Sequence, residues 1–188
     1  MLEKQIESHA DNILVGQEVN FNDDENFAEK NFASVCGVLE KDFEFSHHIY
    51  GEKFYENRIK IKRLSGIEDF IPIIVSEVLI QDFLKAPLTR YVKASGEFRS
   101  YNRYGEDGKN HLDLFLFIKS IDFYKEEDNF ELDSNLNKIH LNGFICKEPV
   151  YRETPNGKEI TDFIIAVNRK YNKSDYIHCI AWGVKQGM

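Results

Sequence analysis

The segment TPNGKEITDFIIAVNRKYNKSDYIHCIAWG, residues 154–183, decides the fold prediction for this chain. Apolar and polar residues alternate on both sides of a short basic connection, which is typical of two half-buried strands joined by a hairpin. Along the second strand two sets alternate: Tyr176, His178, Ile180 and Trp182, and Ile177, Cys179 and Ala181. Because the second set is small and apolar, we predict that it faces the core. The set with Tyr176 and Trp182 is then predicted on the outward face.

This segment is part of an internal repeat. Residues 31–77 align with residues 137–183 without a gap, at a constant offset of 106. Matched pairs include Asn31 and Asn137, Gly37 and Gly143, Arg63 and Arg169, and Asp69 and Asp175. A register held over so long a stretch indicates a duplicated module.

The first copy continues beyond the repeated segment. Alternation predicts three strands in SVCGVLEKDFEF, FYENRIKIKRL and EDFIPIIVSE, then a short helix in VLIQDFLKAP closed by Pro87. Two more strands follow in TRYVKASGEFRSYN and HLDLFLFIKSIDFY, around a turn at RYGEDGKN. Five strands with one helix between the third and the fourth give the element order of the OB fold, a five-stranded Greek-key barrel. We therefore predict an all-β chain of two tandem OB-fold modules.

The predicted domain boundaries follow from this order. They are an N-terminal extension at 1–30, a first OB-like domain at 31–125, an acidic linker at 126–135 and a second OB domain at 136–188. The second domain has strands one to three only, so its barrel cannot close and would expose an apolar inner face and unpaired edges. We expect that the chain is a truncated form of a longer protein, or that another chain completes the half-barrel.

Composition excludes several protein classes. At 188 residues and 42% hydrophobic, the chain can bury a core, and no apolar run approaches the roughly 20 residues that span a bilayer. The first residues do not form a signal peptide, so a cytoplasmic protein without membrane contact is predicted. Three cysteines without a CxxC pair indicate neither a disulfide framework nor a zinc site, and they are interpreted as core or strand residues.

No pattern indicates catalysis. His47 and His48 lack partners that would make them catalytic, and no carboxylate cluster suits magnesium. We predict no enzyme activity, no catalytic residue, no cofactor and no metal. A nucleic-acid-cleaving enzyme is the weakest of the alternatives.

Charge is unevenly distributed along the chain. Residues 135–188 hold eight Lys or Arg against five Asp or Glu, so their net charge is +3. Because the whole chain has a net charge of −8, residues 1–134 have a net charge of −11. Such a bias is compatible with an ordinary solvated surface, and the acidic whole argues against nucleic-acid binding by the entire surface.

The second copy resembles the single-stranded DNA-binding protein family. The resemblance rests on HLNGFICKEPVYRETPNGKEITDFIIAVNRKY and DYIHCIAWG, which are similar to that family's first three strands over about fifty residues. The matching features are the glycine of strand one, the acidic-Pro and Tyr-Arg pairs, the TPNG turn, the AVNR end of strand two and the Asp-aromatic-Ile start of strand three. The first copy is similar chiefly through the repeat.

This resemblance implies a site. Positions that match Tyr171, Tyr176 and Trp182 carry base-stacking aromatics in the family, and Lys or Arg beside them would follow the phosphates. The predicted nucleic-acid-binding residues are Tyr171, Tyr176, Trp182, Arg169, Lys170, Lys173, Lys158 and Phe70. The alternative is that the aromatics are ordinary core residues with a satisfied polar tip.

The first copy departs from this pattern. The counterparts of Tyr171, Tyr176 and Trp182 are Ser65, Phe70 and Ser76, so two of three stacking positions are missing there. We therefore predict a role for this copy in oligomerisation or scaffolding, with DNA contact secondary.

Two functional hypotheses follow. The first is a homo-oligomeric protein, dimer or tetramer, that binds single-stranded DNA with little sequence preference in replication, recombination or repair. The second is an OB-fold interaction or primosome-type adaptor, since a fold does not fix a function. A preference between DNA and RNA stays open.

Overall fold

The computed structural model describes residues 5–8, 30–63, 65–86, 89–105, 107–124, 137–169 and 172–183. The first part of the chain contains β1 Gln5–Ser8, β2 Asn31–Leu39, β3 Glu44–Ile49, β4 Glu52–Lys62, β5 Glu68–Ser76, α1 Glu77–Lys85, β6 Tyr91–Tyr104 and β7 Asn110–Tyr124. The second part contains β8 Lys138–Leu141, β9 Phe144–Ile145, β10 Val150–Glu153, β11 Glu159–Arg169 and β12 Lys173–Trp182. The predicted all-β class, with a helix after the third strand of the first copy, is confirmed.

A closed barrel forms the first module. Strand β2 pairs with β4 on one side and with β6 on the other, and the ring continues through β7, β5 and back to β4. All these pairings are antiparallel except β5 with β7, which is parallel. The interior is filled by fully buried side chains that include Val35, Ile59, Ile71, Phe98 and Leu116. The first copy is therefore a five-stranded barrel of the predicted type.

Helix α1 begins where strand β5 ends. The Ser76 side chain caps it by accepting a hydrogen bond from the Val78 amide at 3.2 Å, and Glu77 lies in the favourable first turn. Ile80 and Phe83 are its buried residues, three positions apart on one face. Within the described part of the chain, no helix is long and apolar enough to cross a membrane.

The repeat extends to the register of strand pairing. Ile59 lies opposite Ile71 in the first copy, and Ile165 lies opposite Ile177 in the second, at the same offset of 106. The pairing of β2 with β4 recurs between β9 and β11, and that of β3 with β4 recurs between β10 and β11. The two copies thus share a strand framework.

Matched glycines stand at a close crossing in each copy. A Cβ on Gly37 would lie 2.4 Å from the carbonyl oxygen of Lys60, and one on Gly143 would lie 2.3 Å from that of Ala166. Side chains cannot be accommodated against backbone at these distances. The two copies therefore require glycine for the same reason, the approach of strand one to strand two.

The first strands of the two copies pair with each other. Strand β2 runs antiparallel to β8, and Ala33 lies opposite Ile139, its own counterpart in the repeat. Pairing centred on equivalent positions creates a local two-fold relation between the copies. The single chain thus contains an arrangement that resembles a symmetric dimer.

The expectation of an unpaired edge on the third strand of the second copy is wrong. Strand β1 pairs antiparallel with β12, and Ser8 lies opposite Cys179. In the first copy the matching edge, at Ile73 and Ile74, is paired with β7. Strand β1 therefore covers the free edge of β12, and β7 covers the matching edge of β5 in the first copy.

The inner face of the second sheet is covered in one part and open in another. Val167, Ile177 and Cys179 pack in the same buried cluster as the core of the first barrel. In contrast, Ile145 is 59% exposed, whereas its counterpart Leu39 is 1% exposed. The predicted exposure of an apolar inner face is thus limited to the end of the sheet near β9. The predicted acidic linker lies outside the described residues, and the domain boundaries stay predictions.

Candidate nucleic-acid interface

The outward face of the second sheet presents Tyr176. Along β12, Ile177 and Cys179 are buried, whereas Tyr176 is 45% exposed and His178 is also exposed. The backbone amide of Tyr176 donates a hydrogen bond to the Ser100 hydroxyl at 2.8 Å, which ties this point of β12 to strand β6. The ring is accessible while its backbone is fixed.

Trp182 is half-buried at the other end of β12. It lies opposite Ile160 of β11 and opposite Gln5 of β1. The ammonium nitrogen of Lys158 is 5.4 Å from the centroid of the indole, within the range of a cation–π contact. A basic group and a stacking surface are therefore adjacent.

Ile180 differs from the prediction. Alternation placed it on the exposed face between Tyr176 and Trp182, but it is only 7% exposed. Its main-chain neighbours on the two sides are Asp162 of β11 and Glu7 of β1, so the added N-terminal strand flanks it. The continuous exposed row expected between the two aromatic rings is interrupted at this position.

Phe144 is an exposed aromatic that the sequence analysis missed. It lies opposite Ala166, which in turn lies opposite Tyr176, so the three side chains point to one face. Phe144 is 70% exposed, and the small Ala166 lies between the two rings. The repeat could have drawn attention to Phe144, because its counterpart in the first copy is the aliphatic Val38 and the second copy therefore has an additional aromatic residue there.

The basic residues differ in their surroundings. Lys173 is exposed at the start of β12. The Arg169 guanidinium is one-third exposed, and its Nε lies 3.6 Å from Asp175 Oδ2. Lys170 and Tyr171 lie outside the described residues, so their predicted roles stay predictions. The described residues do bring Lys158 and Trp182 together.

Asp175 joins the two modules. It is fully buried, and its Oδ1 accepts a hydrogen bond from the Ser100 amide at 2.8 Å while its Oδ2 accepts one from Arg99 Nη1 at 3.0 Å. Arg99 also forms an ion pair with Glu97. Because buried charges are retained only when they are paired, these contacts fix β12 against β6.

Comparison with known proteins finds relatives of the second module. Residues 136–187 match the Single-strand binding protein family. This match covers 52 of the 188 residues, all of them in the second module. The chain is similar to the single-stranded DNA-binding protein A of Bacillus subtilis, with 38% identity over 53 residues, which cover 25% of this chain and 31% of that protein. The chain thus spans about a third of the length of the curated relatives it matches.

Solved structures extend the comparison. The chain is similar to a deletion mutant of the single-stranded DNA binding protein from Thermus aquaticus, with a TM-score of 0.58 and 14% identity over 79% of this chain and 73% of that one. This likeness shows a shared fold. The N-terminal domain of PriB protein from Thermoanaerobacter tencongensis is 33% identical over 52% of this chain and 100% of that one, with a TM-score of 0.44.

The first module surrounds its basic residues with carboxylates. Phe70, the counterpart of Tyr176, is half-buried, and the Arg58 guanidinium carbon lies 5.4 Å from its ring centroid. Arg58 is itself paired with Glu40 at 2.5 Å. Further ion pairs in this part of the module are Lys60 with Glu68 at 3.2 Å and Arg63 with Asp69. Positive charge here is largely neutralised within the module.

The serines that replace two stacking aromatics have other positions. Ser76 caps helix α1 and donates a hydrogen bond to Glu52, whereas Ser65 lies exposed in the turn between β4 and β5. Neither offers a ring to a base. In the first module, Phe70 is therefore the aromatic that remains at the three matched positions.

All three cysteines lie in described residues and are thiols. Cys36 and Cys179 are buried and Cys146 is exposed. Burial raises the pKa of the Cys179 thiol to about 12, because a thiolate is poorly solvated there. Among the described residues, no group of three or more His, Cys, Asp or Glu side chains could hold a metal ion.

Proposed function

We propose that this protein binds single-stranded DNA with little sequence preference, through the outward face of the second module. The observation that carries this proposal is Tyr176, a 45% exposed aromatic on that face, inside the segment that matches the single-strand binding protein family. A surface ring so placed can stack on any base, because every base has a π-face.

Bases and phosphates are assigned to different side chains. Tyr176 and Trp182 stack on bases, with Tyr171, two residues before β12 in the sequence, as a third platform and Phe144 as an added one across Ala166. Phosphates follow the basic residues, which are Lys158, Arg169, Lys170 and Lys173. This division explains tolerance of sequence, since neither kind of contact reads the edge of a base.

The first module contributes little to this contact. Residues 1–134 carry a net charge of −11, and the basic residues beside Phe70 are held by carboxylates of the same module. A phosphate at Phe70 would have to compete with Glu40 for Arg58. Affinity is therefore expected to be modest and to reside in the second module.

Assembly and cellular role belong to the same proposal. The protein acts in DNA replication, recombination or repair in the cytoplasm, as a homo-oligomer of two or four chains. The open end of the second sheet supports oligomerisation, because Ile145 is exposed where the first copy buries Leu39. Covering such a face requires either more of the same chain or a neighbouring one.

Intrinsic fluorescence of the single tryptophan tests the proposal. Oligo-dT, oligo-U and duplex DNA are titrated into the protein under one salt condition. We expect saturable quenching by oligo-dT and at most weak quenching by duplex, because stacking requires unpaired bases. Equal binding of duplex, or no binding of oligo-dT at low salt, would refute the function.

A second candidate is an OB-fold interaction or primosome-type adaptor. What favours it is a group of exposed apolar side chains on the second module, Phe144, Ile145, Val150 and Tyr151. Phe144 and Ile145 lie on opposite faces of β9, and exposed apolar side chains on either face of a sheet can mark a protein contact. An adaptor would retain self-association or partner binding after Tyr176→Ala, and its weak DNA contact would not depend on the aromatics.

A further inference from the structure

The matched Arg–Asp pairs of the two modules are not equivalent. In the first module, Arg63 binds both oxygens of Asp69, with Nη2 at 2.8 Å from Oδ1 and Nε against Oδ2. In the second, Arg169 Nε is 3.6 Å from Asp175 Oδ2, beyond hydrogen-bonding distance. Within the residues that the structure describes, this buried nitrogen has no hydrogen-bond partner.

Strand β6 of the first module accounts for the difference. Arg99 Nη1 donates a hydrogen bond to Asp175 Oδ2 at 3.0 Å, and the Ser100 amide donates one to Oδ1 at 2.8 Å. A bidentate arginine needs both oxygens of a carboxylate in one plane. Both oxygens of Asp175 thus accept from β6, and Arg169 does not form the fork that Arg63 forms with Asp69.

The position of Arg99 is itself fixed by neighbours. Glu97 accepts from Arg99 and also from Lys119, so the side chain is held between two carboxylates. Arg99 is 20% exposed and its partner Asp175 is not exposed at all. Such a pair persists because separating it would leave a buried charge without a partner.

Arg169 is left with unused hydrogen-bonding capacity at the edge of the interface. A buried N–H without an acceptor is costly and usually has a functional explanation. Nε itself is buried, but the side chain as a whole is 33% exposed, so an anionic oxygen from outside can reach the outer end of the guanidinium. A phosphate supplies acceptors of the right charge, and arginine binds phosphate with the geometry it uses for carboxylate.

We propose that Arg99 of the first module is a positioning residue that keeps Arg169 available to a phosphate of single-stranded DNA by pairing with Asp175 in its place. The inference rests on the proposed function and assigns its phosphate contact to Arg169. It gives the first module a role in DNA binding without direct contact. The first copy has no such arrangement, because its Arg63 is consumed by Asp69.

The test replaces Arg99 by glutamine and measures how affinity for oligo-dT depends on salt. In Arg99→Gln, Asp175 recaptures Arg169 in the fork seen for Arg63, and one phosphate contact is lost. The slope of log affinity against log salt should become shallower by about 0.7. Between 50 and 200 mM salt, the wild type should then lose about 2.5-fold more affinity than the variant.

Two controls separate positioning from general effects. Arg103→Gln removes the same charge from the same strand, where Arg103 pairs with Asp113 at 2.5 Å, and it should leave the slope unchanged. Arg99→Lys keeps a cation on Asp175 and should restore a slope near that of the wild type. In an Arg169→Gln background, Arg99→Gln should add no further change. Equal slopes for Arg99→Gln and Arg103→Gln would overturn the inference.

A readout without DNA distinguishes this inference from the proposed function. The Nε–H resonance of Arg169, followed by NMR in the free protein, should shift in Arg99→Gln as it gains a carboxylate acceptor. That shift without any oligo-dT binding would support the recapture and refute the DNA-binding function. If Arg99→Gln does not fold, the wild type decides, since saturating oligo-dT must shift the same resonance, and an unmoved resonance refutes the assignment.

Discussion

Lys158 Nζ lies 5.4 Å from the centroid of the Trp182 ring, so an ammonium group occupies one face of the protein's single tryptophan. A base that stacks on this face must move the lysine aside. The displaced ammonium of Lys158 then lies beside the incoming nucleotide, where it can form an ion pair with the phosphate of that nucleotide. The contact thus couples base stacking to phosphate neutralisation.

The first prediction concerns the two aromatic residues of β12. Tyr176→Ala and Trp182→Ala should each lower affinity for oligo-dT by about 1–3 kcal/mol, the range found for loss of one stacked base. Anisotropy of a labelled oligonucleotide measures this, since the second variant has no tryptophan. Tyr50→Ala is the matched control, because Tyr50 is fully exposed at the β3–β4 turn of the first module. Normal binding by a folded Tyr176→Ala, Trp182→Ala double variant would contradict the stacking assignment.

The second prediction concerns salt. Affinity should fall as salt rises, with a log–log slope of about −0.7 for each phosphate contacted on a single strand. Lys173→Gln removes an exposed ammonium at the start of β12 and should make the slope shallower by about 0.7. Lys53→Gln, in which a lysine paired with Glu77 in the first module is removed, should not. Binding that is independent of salt would favour the adaptor.

The third prediction concerns thiol reactivity. At pH 8 Ellman's reagent should modify one thiol per native chain, Cys146, because Cys36 and Cys179 are buried. Burial raises the pKa of Cys179 to about 12, so its thiolate form is negligible four pH units lower. All three should react in guanidinium chloride. Reaction of Cys179 in the native chain at the rate of Cys146 would show that β12 is not packed as described.

The sequence predicted the strand framework because the repeat and the period-2 pattern agree along most of its length. Ile59 with Ile71 and Ile165 with Ile177 share a register, and residues buried in the core alternate with exposed ones as the pattern requires. Helix α1 was also predicted, from the segment VLIQDFLKAP closed by Pro87, and its Ser76 cap is likewise a local feature. Such features depend on neighbours in the chain, which a sequence displays directly.

Other features depend on long-range contacts that no local pattern reveals. The pairing of Gln5–Ser8 with β12 has no sequence signature, and Ile180, which alternation placed outside, is buried beside it. The same holds for Asp175, whose partners Arg99 and Ser100 are about 75 residues away. For this reason, Arg169 was predicted as a simple phosphate ligand, and its relation to the first module emerged only from the structure.

The last prediction concerns the N-terminal strand. Gln5–Ser8 pairs with Cys179–Trp182, so deletion of residues 1–9 would expose the backbone N–H and C=O groups along one edge of β12. Bare edges recruit other strands, and we expect concentration-dependent self-association above the assembly state of the full chain, measured by light scattering. The amide of Ile180, which points to the β1 edge as that of Tyr176 points to β6, should also exchange faster with deuterium, because this edge frays into solvent. Deletion of residues 1–4, which leaves β1 intact, is the matched control and should behave as the full chain does. Should the longer deletion keep the mass and the exchange protection of the full chain, β1 would not be what protects this edge, and the stacking face of Tyr176 and Trp182 would rest on β11 alone.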